Sequence, residues 1–286
     1  SNYSYMHAPY TWELVSNLKK GRALFTQPPM PIKCAGAPQK ALYLSGDYWF
    51  RTGRLKDIGI DFYNSGGVLF GVAAYVPALQ SYIDKYHAKI HFNHTLMEVD
   101  GENKRAYFKS SEPGKENDVI CEEFDMLHVC PPQKAPAFVA DSVLADAAGW
   151  LDVDQFSLQH KKFANIWGIG DVANTPNAKT MAAVRKQVPV VASNIQSAMN
   201  NRELEAGYDG YGSCPLTVER GKIVLAEFGY GGKLLPSFPK FVINGTRATR
   251  AAWILKKDIL PAIYWHAMLK GREWMAAPKK LKILKS

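Results

Sequence analysis

Apolar positions recur at helical spacing over residues 10–20, through Trp12, Leu14, Val15 and Leu18. The run RALFTQP then predicts a strand that Pro28 and Pro29 end, because proline fixes φ and donates no N–H. GAPQKALYLSGDYWFRTG predicts a helix, with Ala37 and Pro38 near its start and Gly53 at its end. IGIDFYNS predicts an apolar strand before a Gly66-Gly67 turn, and YVPALQSYIDKYH a second helix. AKIHFNHTLMEVD and KRAYFKS predict two strands across a polar turn. Strands alternating with helices in this way imply a doubly wound α/β unit.

The ligand-binding end of such a unit is the loop after its first strand, which is commonly glycine-rich and holds a diphosphate. Here that loop is TQPPMPIKCAGAPQK, rich in proline and carrying Cys34. The composition exchanges a dinucleotide cradle for a thiol.

A second region begins near DMLHVCPPQKAP. Its pattern predicts a strand over 166–169, then Gly170 and Asp171, a loop, and a helix from about Ala178. A β-rich stretch, KIVLAEFGY, follows. From about Thr246 the pattern is helical, with Pro261 dividing it in two, and there are no internal repeats. A strand ending in Gly-Asp ahead of a helix is either a plain turn or a cofactor contact. As a contact, the glycine lets backbone approach the group, the carboxylate accepts a hydrogen bond, and the helix start offers N–H groups.

The net charge is +9, and its position is informative. Ten Lys/Arg oppose two acids over the last forty residues, a net of +8, which leaves the preceding residues nearly neutral. Trp, Tyr, Leu and Ile interleave with those cations, a pattern that fits a bilayer interface better than nucleic acid or a plain surface helix. No run of 18 apolar residues is present, and SNYSYMHAPYTWE lacks the charge-then-apolar pattern of a signal peptide.

Four cysteines show neither CxxC nor zinc-type spacing, and no metal site is expected. Cys34 precedes a helix start, with Lys33 and Lys40 nearby, features that favour a thiolate. Cys214 lies in the Gly-rich DGYGSCPL. If CEEFDMLHVC is a single strand, Cys121 and Cys130 lie on opposite faces roughly 30 Å apart and are structural. His91 and His94 are expected on opposite faces.

Taken together, KCAGAPQK, LHVCPP, DAAGWLDVD, GIGDVANTPNAKT, YDGYGSCPL, IVLAEFGY and KKDILPAIYWHAMLKG resemble the sulfide:quinone oxidoreductase family, in the branch that includes the mitochondrial enzyme. The resemblance implies a Rossmann-like two-dinucleotide-binding-domain flavoprotein fold with C-terminal amphipathic membrane-binding helices. It divides the chain into 1–130 (the second, NADH-type domain with the first redox cysteine), 131–205 (part of the FAD-binding domain) and 206–286 (a β segment and the membrane and quinone helices). It implies FAD as cofactor and ubiquinone as co-substrate. Cys34 resembles the flavin-side cysteine, and Cys214 the partner that takes sulfide sulfur as a persulfide. Lys40 and Lys256 resemble the lysines that make the sulfide path electropositive. Gly170, Asp171, Lys179 and Thr180 resemble the flavin-contacting segment, and Phe238, Tyr264 and Trp265 the quinone lining.

The partners so implied are hydrogen sulfide, a quinone, a small thiol or sulfite as sulfur acceptor, and a membrane surface, with no nucleic acid and a homodimer as an option. Localisation is peripheral, on a bacterial cytoplasmic or mitochondrial inner membrane. The family's strand–GxGxxG–helix segment is missing from this sequence. The chain is therefore expected to be an N-terminally incomplete piece that binds FAD poorly and is inactive alone. The alternatives are an NADH:quinone flavoprotein and a non-catalytic membrane-binding module with inert cysteines.

Overall fold

The computed structural model describes residues 1–286 except 117, 273 and 286. It divides into two compact units: 1–132 with 215–224 and 246–253, and 133–214 with 225–245 and 254–286.

In the first unit, helix α1 (Ala8–Asn17) leads into strand β1 (Gly21–Gln27). Helix α2 (Ala37–Arg51), strand β2 (Ile58–Asn64), helix α3 (Val76–Lys85) and strand β3 (Lys89–Phe92) follow. Strand β7 (Met126–His128) lies on the far side of β1, giving a parallel sheet of order β3-β2-β1-β7. Ala23 to Gln27 are consecutively buried, as expected of a central parallel strand covered on both faces. Helix α2 starts with a proline in its first turn and buries Leu42, Tyr43 and Trp49; the Trp49 indole donates to the Val15 carbonyl at 2.9 Å, tying α1 to α2. Gly46 lets α2 approach α3's end: a Cβ there would lie 2.7 Å from the Tyr86 ring.

Two strands were expected to be longer than they are. AKIHFNHTLMEVD forms β3 and a separate β4 (His94–Asp100), because Asn93 adopts φ +58° between them. Strand β4 leaves the parallel sheet and pairs antiparallel with β5 (Arg105–Ser110), which pairs with β6 (Val119–Glu123). CEEFDMLHVC likewise divides into β6 and β7, in different sheets. Cys121 is exposed on β6, and Cys130 is buried beyond β7. The premise that placed both cysteines on one strand does not hold.

His91 and His94 also depart from expectation. His91 stacks on Tyr63 at 4.3 Å, His94 meets the same ring edge-on at 6.2 Å, and the two imidazoles are 6.5 Å apart. The break at Asn93 turns them towards one aromatic ring.

In the second unit, a short helix α4 (Ala137–Ala140) precedes a stretch held by single bridges. The segment 166–169 is extended but is no strand; its contact is one bridge, Gln159 to Trp167. A single 3-10 turn, Gly170–Val172, comes next. Helix α5 (Met181–Met199) begins three residues later than expected, where the Thr180 hydroxyl accepts the Ala183 N–H at 3.2 Å. The buried Asn194 amide on α5 donates to the carbonyls of Ser157 and Ala206 and accepts the Ala206 N–H, fixing the helix to strand β8 (Ala206–Gly207).

Strands β9 (Gly212–Glu219) and β10 (Lys222–Phe228), with β11 (Ala248–Thr249) at their edge, form a three-stranded sheet. Helix α6 (Arg250–Ile254) then passes through a π-turn, Leu255–Ile259, into α7 (Leu260–His266), with Pro261 in its first turn. Strand β12 (Lys279–Lys280), paired to β8, and helix α8 (Leu281–Lys285) end the chain.

Candidate active site

Cys34 lies in the connection between β1 and α2, at the carboxyl end of the parallel strands, where open α/β sheets bind ligands. It is half-buried and holds φ +50°, a left-handed conformation uncommon for a side-chain-bearing residue. Its carbonyl accepts the Ala37 N–H at 2.7 Å, closing the turn that starts α2. Lys40, in the first turn of that helix, places its ammonium 3.2 Å from the Cys34 sulfur. An ammonium at hydrogen-bond distance stabilises negative charge on sulfur, the condition for a reactive thiol.

Cys130 follows β7 at the same end of the sheet. Its N–H donates to the Thr26 hydroxyl at 3.1 Å, and burial pushes its thiol up to about 11. His128, two residues earlier, is buried with neither ring nitrogen hydrogen-bonded, and burial lowers it to about 4, so the imidazole is neutral. Sequence reading did not single out His128. A lone histidine in an apolar strand carries no signal of what surrounds it.

In the second unit, Gly170 sits at φ +69°, a region closed to most side chains, and a Cβ there would lie 3.1 Å from Val184. Its N–H donates to the buried Gln187 side chain at 2.7 Å. Asp171 is exposed on the same turn. Lys179 is buried; its ammonium donates to the Ala173 carbonyl and lies 4.1 Å above the Trp150 ring. Lys179 thus ties the residue after the Gly170–Val172 turn to the start of α5, and Gln187 on α5 holds the turn itself, while Thr180 caps the helix. Cys214 is fully buried in β9. Two residues before it, Gly212 packs on the same segment: a Cβ there would sit 3.3 Å from Ala178 and 3.8 Å from the Thr180 hydroxyl.

The structure therefore brings Cys34 to Lys40; it sets Gly170 and Asp171 on one turn, with Lys179 bonded to the residue after it and Thr180, the cap of α5, beside the strand of Cys214. Cys34 and Cys214 lie in different units. Lys256 is half-buried in the π-turn, and Phe238 is half-buried in the loop after β10. Tyr264 and Trp265 meet edge-on at 5.1 Å on α7, with Trp265 61% exposed. Ile254, Ile259, Leu260 and Leu269 are exposed along the same segment, which also carries the exposed Lys257 and Lys270. Among the described residues, no helix is long and apolar enough to cross a membrane.

A parallel βαβ sheet, with a Gly-Asp turn ahead of a long capped helix in the second unit, defines a Rossmann-type α/β fold. The chain superimposes with a TM-score of 0.68 on the solved sulfide:quinone oxidoreductase of Aquifex aeolicus, at 14% identity, covering 90% of this chain and 60% of that one. In sequence it is a relative of the mitochondrial sulfide:quinone oxidoreductases. It is 40% identical to that of Mus musculus over 95% of its own length and 59% of the relative. It is 38% identical to that of Schizosaccharomyces pombe over 94% and 59%. The chain thus spans about three fifths of the length of these curated relatives. No family model matches it.

Proposed function

We propose that the chain carries the thiol chemistry of a sulfide:quinone oxidoreductase. The single observation behind this is the Lys40 ammonium 3.2 Å from the Cys34 sulfur at the carboxyl end of a parallel sheet, where its relatives' class of fold places ligands. Cys34 and Cys214 are the redox pair in this reading. Hydrosulfide attacks the Cys214 sulfur of a Cys34–Cys214 bridge, a new S–S bond forms there, and the bridge breaks. Cys214 keeps the added sulfur as a persulfide. Cys34 leaves as a thiolate, its charge met by Lys40. Lys256 adds a second cation on the path of the anionic substrate. The persulfide sulfur then passes to a small thiol or sulfite.

The residues of the second unit fit FAD. Bare backbone at Gly170, the exposed Asp171 carboxylate and the N–H groups at the start of α5 suit the ribityl and ring end of that cofactor. FAD held there would supply two-electron transfer from the thiol pair to ubiquinone.

The exposed apolar residues of 254–269, set among lysines, support peripheral attachment to a membrane with Tyr264, Trp265 and Phe238 near the quinone. The relatives' mitochondrial names favour the inner mitochondrial membrane. The deciding experiment supplies FAD and a short-chain quinone and compares sulfide with NADH as donor. An extra sulfur mass on the Cys214 peptide, formed with sulfide and not with NADH, is expected whether or not the chain turns over quinone. Reduction by NADH alone, or an unmodified Cys214, would overturn the reading.

A further inference from the structure

The cations that crowd the end of the chain are held on ordered backbone of the second unit. After α7 a 3-10 turn, Met268–Lys270, ends at Gly271 with φ +70°. The Ala267 carbonyl accepts both the Lys270 N–H at 2.9 Å and the Arg272 N–H at 3.0 Å. The Arg185 guanidinium on α5 donates to the Trp274 carbonyl, and Ala276 is buried. Further on, β12 pairs with β8, and the Leu281 N–H donates to the Glu205 carbonyl at 2.7 Å. Leu281 is buried, and a Cβ on Gly207 would lie 2.7 Å from the Leu284 side chain, so α8 packs directly on β8. The segment after α7 is thus fastened at intervals and is no loose tail.

Few acids answer these cations. Lys257 pairs with Asp258 at 3.2 Å, and Lys285 with Asp154 at 3.5 Å. Lys270, Arg272, Lys279, Lys280 and Lys282 are exposed and have no acidic partner among the described residues. Large apolar side chains stand exposed among them in the chain: Leu269, Trp274 and Met275 are each more than half exposed, and so is Ile283. A nucleic-acid backbone would meet the charge but offers leucine, methionine and isoleucine no apolar phase. An anionic bilayer meets both, its headgroups taking the charge and its acyl boundary the apolar groups.

We propose that Lys270, Arg272, Lys279, Lys280 and Lys282 make a second, electrostatic contact with the bilayer and select membranes rich in anionic phospholipid. The proposal rests on the membrane reading given above for 254–269 and adds to it the lipid charge that the chain recognises. Each Lys or Arg close to an anionic surface strengthens binding about fivefold. That attraction fades as salt shortens its reach. The apolar residues of 254–269 supply insertion, and the five cations supply selection among lipids.

The test sediments the 286-residue chain with vesicles of phosphatidylcholine alone and with vesicles that also contain phosphatidylglycerol, in low and in high salt. Binding to the anionic vesicles should be about tenfold tighter or more, and the excess should shrink in high salt. The triple variant Lys279→Gln, Lys280→Gln, Lys282→Gln should lose most of that excess and keep its binding to phosphatidylcholine. The charge-matched variant Lys56→Gln, Lys89→Gln, Lys109→Gln, altered at exposed positions of the first unit, should keep the excess. Equal binding of the wild type to both vesicles overturns the proposal and leaves the membrane reading standing, whereas binding to neither removes both. An equal loss in the first-unit variant shows that net charge alone acts and overturns it too, as does tighter binding to a short DNA duplex than to the anionic vesicles. If the triple variant disturbs the pairing of β12 with β8, Lys270→Gln combined with Arg272→Gln decides it.

Discussion

The Lys40 ammonium reaches the Cys34 sulfur because six residues separate them across a helix start. Cys34 closes the turn through its carbonyl, and Lys40 comes around one turn of α2 to lie beside it. The cation is carried on α2 and not on the loop itself. In the proposed reaction the same geometry would serve an incoming anion and a departing thiolate.

Replacing that cation should therefore slow Cys34 chemistry without unfolding the helix. Lys40→Met keeps the stem and removes the charge. A nearby opposite charge is worth about one pKa unit or more to an acidic group, so Cys34 alkylation near neutral pH should fall about tenfold. Peptide-resolved iodoacetamide kinetics measure this, and Cys121, exposed on β6, is the internal control. An unchanged rate would mean that Lys40 does not govern the thiol.

Gly170→Ala should destabilise the second unit. The substitution forces an alanine into φ +69° and its methyl to 3.1 Å from Val184. Strain of this kind costs about 1–2 kcal/mol. Denaturant titration followed by circular dichroism gives the value. If the Gly-Asp turn is the flavin contact, FAD affinity should fall further than stability does, and fluorescence titration with FAD separates the two.

The parallel sheet was legible because its strands are buried on both faces and so read as short apolar runs, such as Ala23 to Phe25. Breaks of one or two residues were not. Asn93 looks like one more strand position between His91 and His94, yet its left-handed backbone sends β4 into another sheet. The α5 start was placed at Ala178 because Ala178 and the stem of Lys179 continue the apolar pattern; the cap at Thr180 has no acidic residue in the first turn to announce it. Of the site, Cys34 with Lys40 was visible, since both lie within one local motif. The buried His128 was not, because only the pairing of β7 with β1 encloses it.

Trp265→Ala should weaken attachment to lipid. Trp265 stands 61% exposed on α7, with Tyr264 packed edge-on behind it and lysines at both ends of the segment. In the proposed membrane contact this indole would insert among headgroups, where its burial is worth on the order of 2 kcal/mol. Co-sedimentation with anionic vesicles should fall about tenfold or more while the circular dichroism spectrum stays unchanged. Equal binding of both proteins would remove α7 from the membrane contact.

Asp61 should set the acid limit of the first unit. It sits on β2, where it accepts the Arg22 Nε–H at 2.8 Å and pairs with His91 Nε2 at 2.7 Å. Burial alone would raise this carboxyl, but hydrogen bonds and charge from His91 and Arg22 outweigh burial and hold it at about 2. An ordinary carboxylate has a value of ~3.9 in an unfolded chain. The folded group is the stronger acid, so its contribution is complete above pH ~4 and is lost as pH falls towards 2. Arg22 is about a third exposed, and solvent screening there brings the contribution to about 1–2 kcal/mol. Asp61→Asn keeps the shape and removes the titration. Its unfolding free energy should lie below wild type by that amount at pH 6, and the gap should close between pH ~4 and ~2. A gap that persists unchanged to pH 2 would show that the loss comes from packing and not from the carboxylate's charge.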